Sequence, residues 1–253
     1  MTENQWKYFC DFRDDFKRKI EEWKAAAPEL THLQREAARI AKTPDYPFET
    51  SVVYNRALDD ITPDDDIKLI VIGDNPGKDE QLAKNNRYLV GQAGKIAEGY
   101  FRRNPELGVD FRRNVIILNK TPVHSAKTAQ LKTIAKQGGP AITQLIQESQ
   151  CWMAEKTAAL HAALGTELWL VGYSELKDKG MFSLYRDTLK AACTTGAAKT
   201  SDAWNRVYVF QHFSMNRFTI DLADFIQKEK REAASLESNI HELGILHRTE
   251  IFG

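Results

Sequence analysis

The chain has 253 residues, 42% of them hydrophobic, which allows one large domain or two small ones around a substantial core and excludes a disordered chain. Its 35 basic and 35 acidic residues cancel, so no global positive field draws it to nucleic acid or to an anionic membrane, and any DNA contact has to come from a local basic face. The three cysteines, Cys10, Cys151 and Cys193, lie far apart, which suits a reducing compartment and builds no disulfide framework.

Met1 to Trp6 contain no basic segment followed by an apolar run, and no stretch approaches the ~20 apolar residues that span a bilayer. The expectation is a cytoplasmic protein with no membrane segment. Over residues 3–27, Trp6, Phe9, Phe16, Ile20 and Trp23 recur at helical spacing with charges between them, and Pro28 closes the segment. Further helices are expected near 31–42 and 49–60, followed by a polar break at Pro63 to Asp66.

Four short apolar runs then read as strands: Ile67–Gly73, Asn114–Leu118, Glu167–Gly172 and Arg206–Gln211. Between them lie helical patterns such as 140–164 and 174–192, and a last helix is expected from Phe218 to Leu236. Strands alternating with helices predict an α/β fold, a four-stranded parallel sheet covered by helices on both faces. Phe101 to Asn104 and Phe111 to Asn114 share a pattern too short to define a repeat. No Gly, Ser or Pro linker divides the chain, so one domain is expected: a helical N-terminal extension over 1–62, an α/β core over 63–236 and a C-terminal tail over 237–253.

Ligands of open parallel sheets bind beyond the carboxyl ends of the strands, so the residues after each run carry the functional information. After the first comes Gly73-Asp74-Asn75-Pro76-Gly77, a tight turn with two polar side chains on its rim. After the second comes Asn119, and after the fourth Gln211-His212-Phe213-Ser214-Met215-Asn216-Arg217. Each has a plain structural reading as a turn, a helix cap or a satisfied histidine. Together they bring an amide, a carboxylate or second amide, and an imidazole to one crevice.

In this order the set resembles the uracil-DNA glycosylase superfamily over residues 67 to 225. The turn at 73–77, followed by Val90-Gly91-Gln92-Ala93-Gly94, is similar to the family's first motif. The resemblance implies that Asn75 positions the attacking water, a place where one branch carries Asp, and that Asp74 stands where iron–sulfur branches carry Glu. It implies that Asn119 reads the base edge and that His212 and Ser214 form the last motif, the histidine donating to the base. Departures are Leu89 at a position that usually carries a stacking Phe, so that either Tyr88 takes over or stacking is weak, and Phe213 in place of Pro.

The chemistry agrees with that assignment. Cleaving an N-glycosidic bond leaves an oxocarbenium-like sugar and a base anion; His212 and Asn119 would donate to the anion. Asn75 orients water without accepting its proton, and Asp74 supplies a base if it points into the pocket but caps the next helix if it does not. If Asn75 acts alone and the water geometry is kept, Asn75→Asp would raise excision. Met215, Asn216 and Arg217 would form the wedge that enters the space vacated by the flipped base, against a reading of the loop as a simple connection with Asn216 as helix cap. Lys78, Lys84, Lys120, Lys127 and Arg217 are candidate phosphate contacts.

The leading expectation is a monomeric, monofunctional hydrolase that removes uracil or a related damaged base from DNA, with no metal and no cofactor. Its three cysteines are too few for an iron–sulfur set, and His124, His161, His212, His241 and His247 lack ligand spacing. The alternative is an inactive family member that binds DNA or a free base. A nucleotide-binding transferase is a weaker third reading, because no phosphate-loop or dinucleotide fingerprint follows the first strand.

Overall fold

The computed structural model describes residues 1–195 and 202–253. Four strands, β1 (Leu69–Gly73), β2 (Val115–Asn119), β3 (Glu167–Val171) and β4 (Val207–Phe210), form one sheet in the order β2-β1-β3-β4, all pairs parallel. Every residue of β1, β2 and β4 is buried, which is why these strands read as unbroken apolar runs: helices cover both faces. The expected α/β class and parallel sheet are the observed ones.

The order places the topological switch point, from which the chain continues to opposite sides of the sheet, between β1 and β3, and the crevice of such a sheet opens there, beyond the carboxyl ends. Register sets Gly73 beside Asn119 across the β1–β2 pair, so the residues following both strands enter the same space.

Helix α1 (Glu3–Ala26) starts with a capping box on Thr2 and buries Phe9, Phe12, Phe16, Ile20 and Trp23 on one stripe. With α2 (Leu30–Ile40) it packs on α4 (Gln130–Leu164), and its apolar residues belong to the same core cluster as the sheet. Helix α3 (Gln92–Arg103) follows the first loop region. The pattern read at 140–164 is the second half of α4, which breaks at Gly139 (φ 69°), so that Pro140 opens a new helical run where its missing N–H costs nothing.

Three expectations are corrected. Residues 49–60 are not a helix: Val52 and Val53 are buried in extended backbone, Val52 bridges Val123, and only Arg56–Asp60 form a short 3₁₀ turn capped by the Asn55 side chain. The β-branched pair fits the extended run better than a helix. The pattern at 174–192 divides into a 3₁₀ turn at Tyr173–Leu176 and α5 (Ser183–Thr194). The helix expected to reach Leu236 stops at Lys228 (α6, Arg217–Lys228), and the residues read as a tail form α7 (Leu236–Phe252), which packs along β4 with Gly244 against Tyr208 and Phe210. No helix among the described residues is long and apolar enough to cross a membrane.

Candidate functional site

A cleft of about 820 Å³ opens at the carboxyl edge of the sheet, within the size range of small-ligand sites. Asp74, Asn75, Leu89, Asn119, His212, Ser214, Met215 and Arg217 line it. The four polar residues expected from three separate strand ends are therefore brought together.

Asp74 leaves β1 with its side chain 14% exposed. Its Oδ1 accepts from Lys120 Nζ at 2.6 Å and its Oδ2 from the Thr128 hydroxyl at 3.2 Å. It does not cap a helix. Gly172, just after β3, makes room for this carboxylate: a Cβ there would lie 2.3 Å from Asp74 Oδ1, and its φ of 96° is one that residues with a side chain rarely adopt.

Asn75 is fixed by its amide nitrogen, which donates to Ser125 Oγ (2.9 Å), Ser125 O (3.1 Å) and Pro76 O (3.2 Å). The orientation leaves its carbonyl oxygen as the atom that can accept a hydrogen bond from water.

Asn119 is 2% exposed, and its Nδ2 has no hydrogen-bond partner among the described residues. A buried NH₂ left unpaired costs on the order of 1–3 kcal/mol, a cost that an acceptor on a bound ligand removes. His212 presents a complementary donor. The Ser214 backbone N–H donates to its Nδ1 at 3.1 Å, with the Ser214 hydroxyl 2.9 Å away, so the ring proton of the neutral imidazole sits on Nε2. Burial holds the His212 pKa below its usual value, while Asp74 raises it and Lys120 lowers it.

Two sequence assignments are corrected here. Lys120 is not a phosphate contact: it is fully buried, its ammonium bonded to Asp74, to Val171 O at 2.6 Å and to Gly73 O at 3.3 Å, and it lies over the Phe182 ring. Burial lowers its pKa against the pull of Asp74. It cross-links the ends of β1, β2 and β3 and positions Asp74. Tyr88 does not replace the missing aromatic, since its ring is in the core with its hydroxyl donating to Val53 O at 2.6 Å, outside the cleft. Leu89 takes the wall position instead.

The Val90-Gly91-Gln92-Ala93-Gly94 stretch is explained by packing. A Cβ on Gly94 would fall 1.5 Å from the Leu89 carbonyl oxygen, so only glycine lets α3 begin directly against the Leu89 turn. Phe213, in the place of proline, is buried between Phe111 and Phe218 and keeps φ at −65°, the value a proline would impose. Met215 and Asn216 both have positive φ (55° and 58°), and Met215 is 77% exposed. Asn216 makes no side-chain cap. Two consecutive left-handed residues that are not glycine hold an apolar side chain out beside the cleft, the kind of local strain found at functional loops. Lys78, Lys127 and Arg217 reach the cleft; Lys84 does not.

Sequence reasoning missed the supporting shell. Glu80 ties the turn to the Leu89 wall, accepting from Gly77 N (3.1 Å) and Leu89 N (2.9 Å), and burial pushes its carboxyl up to about 7 against those two bonds. Its only signal was a position three residues past the turn glycine. Buried His124 donates from Nδ1 to Pro76 O (2.8 Å) and accepts at Nε2 from the Tyr46 hydroxyl (3.0 Å).

Burial pulls His124 down to about 4, so the unfolded chain takes up its proton first. The stability this ring contributes is present above pH 6.5 and is lost as pH falls from 6.5 towards 4, by on the order of 3 kcal/mol. Glu80, with its folded value raised, acts in the opposite sense between pH 4.5 and 7, so the measurement has to be a difference. In urea melts, the advantage of the parent over His124→Gln should shrink as pH drops from 7 to 4; a constant difference would mean that the buried ring does not titrate as assigned.

Compared with known proteins, the chain matches no family model, and no curated protein and no solved structure gives a significant match.

Proposed function

We propose that the chain is a DNA glycosylase that hydrolyses the N-glycosidic bond of uracil or a related damaged base. The observation that carries this reading is the buried Asn119 NH₂, without a partner among the described residues, on a side chain that lines the same cleft as His212, with its Nε2–H, and the Asp74–Asn75 turn. Two fixed donors in the cleft suit a planar ring with two carbonyl oxygens, and they bind it more strongly as the ring departs carrying negative charge.

In this mechanism the target nucleotide leaves the stack and enters the cleft, with Met215 taking its place in the helix. The C1′–N bond breaks with its electron pair going to the base, where Asn119 and His212 hold the charge. A water held by Asn75 Oδ1 attacks C1′, and its proton passes to Asp74, whose carboxylate also faces the cationic sugar. Lys120 and Thr128 position that carboxylate.

A second reading, a member that binds DNA or a base without cleaving it, has one observation in its favour: Tyr88 lies in the core, so this segment offers no ring to stack on the base. Incubation with uracil-containing single- and double-stranded oligonucleotides, followed by alkali and a denaturing gel, separates the two. Strand breaks at uracil alone are the expected result. Tight binding with no alkali-labile site would replace the glycosylase reading with the second one.

A further inference from the structure

Tyr46 and Phe48 lie in the segment joining α2 to the rest of the chain and stack on each other with ring centroids 4.3 Å apart. The Arg35 guanidinium sits 5.5 Å from the Phe48 centroid and Lys78 Nζ 5.7 Å from that of Tyr46, so a cation flanks each ring of the pair. Neither cation has an ion-pair partner among the described residues, whereas neighbouring Arg39 is tied to Glu36. Of the nearby acids, Asp45 accepts from the Tyr46 backbone N–H and Glu49 from that of Ala83.

The pair borders an open groove of about 490 Å³, shared with Arg35, and Lys78, the cation beside the Tyr46 ring, lines the cleft. His124 packs edge-on against both rings and bonds to Tyr46 and to Pro76, coupling the stack to the turn that carries Asp74 and Asn75.

We infer that this stack is a docking surface for the single-stranded DNA segment that leaves the cleft beside the extruded nucleotide. The inference rests on the glycosylase reading for which strand is bound, and on the local chemistry for how. Single-strand surfaces combine aromatic rings, which tolerate any base, with cations that track phosphates. The occupant is unpaired DNA because duplex keeps its base faces hidden from the rings, and a chain with zero formal charge has no broad field for duplex backbone.

The test uses a fluorescein-labelled 20-mer of thymidylate, which contains no uracil, so binding is read independently of excision. By anisotropy, Phe48→Ala and Arg35→Glu should each weaken binding on the order of tenfold. Arg35→Glu should also lower the slope of log affinity against log salt by at least about 0.7. Arg35 is exposed on α2, so this variant leaves the core intact, and matching thermal melts check it. Parent-like affinity and slope in both variants would overturn the inference, as would an equal loss on a 20-base-pair duplex. Strand binding that depends on the stack, together with no uracil excision, would remove the glycosylase reading and leave the docking surface standing.

Discussion

Asp74→Asn should lower the single-turnover rate of uracil excision by on the order of 10²–10⁴-fold, the range for loss of a general base. The carboxylate stands at the switch point of the sheet, aimed by Lys120 and Thr128 and given room by Gly172. An amide keeps the shape and one acceptor oxygen, and so isolates the loss of charge and basicity from loss of packing. The companion change separates the two neighbours. Taken from the sequence, Asn75→Asp promised a faster enzyme if the water geometry were kept.

The structure reverses that expectation, because the Asn75 nitrogen donates to two carbonyl oxygens, those of Ser125 and Pro76, at 3.1 and 3.2 Å. A carboxylate there has no proton to offer them and faces repulsion on both, so the side chain turns away and the water site is lost. Asn75→Asp should therefore also be slow. Parent-like excision by Asp74→Asn combined with a gain in Asn75→Asp would show that Asn75 is the seat of water activation and Asp74 a structural ion-pair partner.

Asn119→Ala is expected to abolish base selectivity and to lower excision at least 10²-fold while leaving the fold as stable as the parent, within about 1 kcal/mol. A site that hydrogen-bonds a polar edge discriminates strongly, since removing the match leaves groups unpaired. Most buried polar side chains repay their desolvation inside the protein; the Asn119 NH₂ has no partner among the described residues. Deleting it removes a desolvation cost that offsets the lost packing, the pattern of a residue kept for function at the expense of stability. Urea denaturation and excision rates on the same preparation test both halves. A large loss of stability would mean that Asn119 holds the β1–β2 edge together, and unchanged excision would place base reading elsewhere.

The sequence by itself determined the sheet and the positions of its functional ends. Leu69–Gly73 and residues 115–118 are apolar without interruption because each is buried on both faces, and that signal is local. The helical stripe of α1 was legible for the same reason, as was the turn at Gly73–Gly77. Parallel strands carry Asp74, Asn75, Asn119 and His212 to one edge, so their arrival there followed from the alternation of strands and helices.

Tertiary structure decided which of those groups have partners. Lys120 reads as a surface lysine, yet it is buried by acceptors 46 to 51 residues away, contributed by strands that are neighbours only after folding. Tyr88 and Leu89 are adjacent, and the left-handed turn at Leu89 (φ 49°), fixed by Glu80, sends one ring into the core and leaves the aliphatic side chain on the wall. Residues 49–60 carry a helical pattern, but Val52 pairs with Val123, a long-range bridge that outweighs local propensity, and only Arg56–Asp60 turn. Periodicity reports what each residue does to its near neighbours; the orientation of Asn75 depends on Ser125, 50 residues away, and the burial of the Asn119 amide on the strands around it, whereas the proton on His212 is set locally by Ser214.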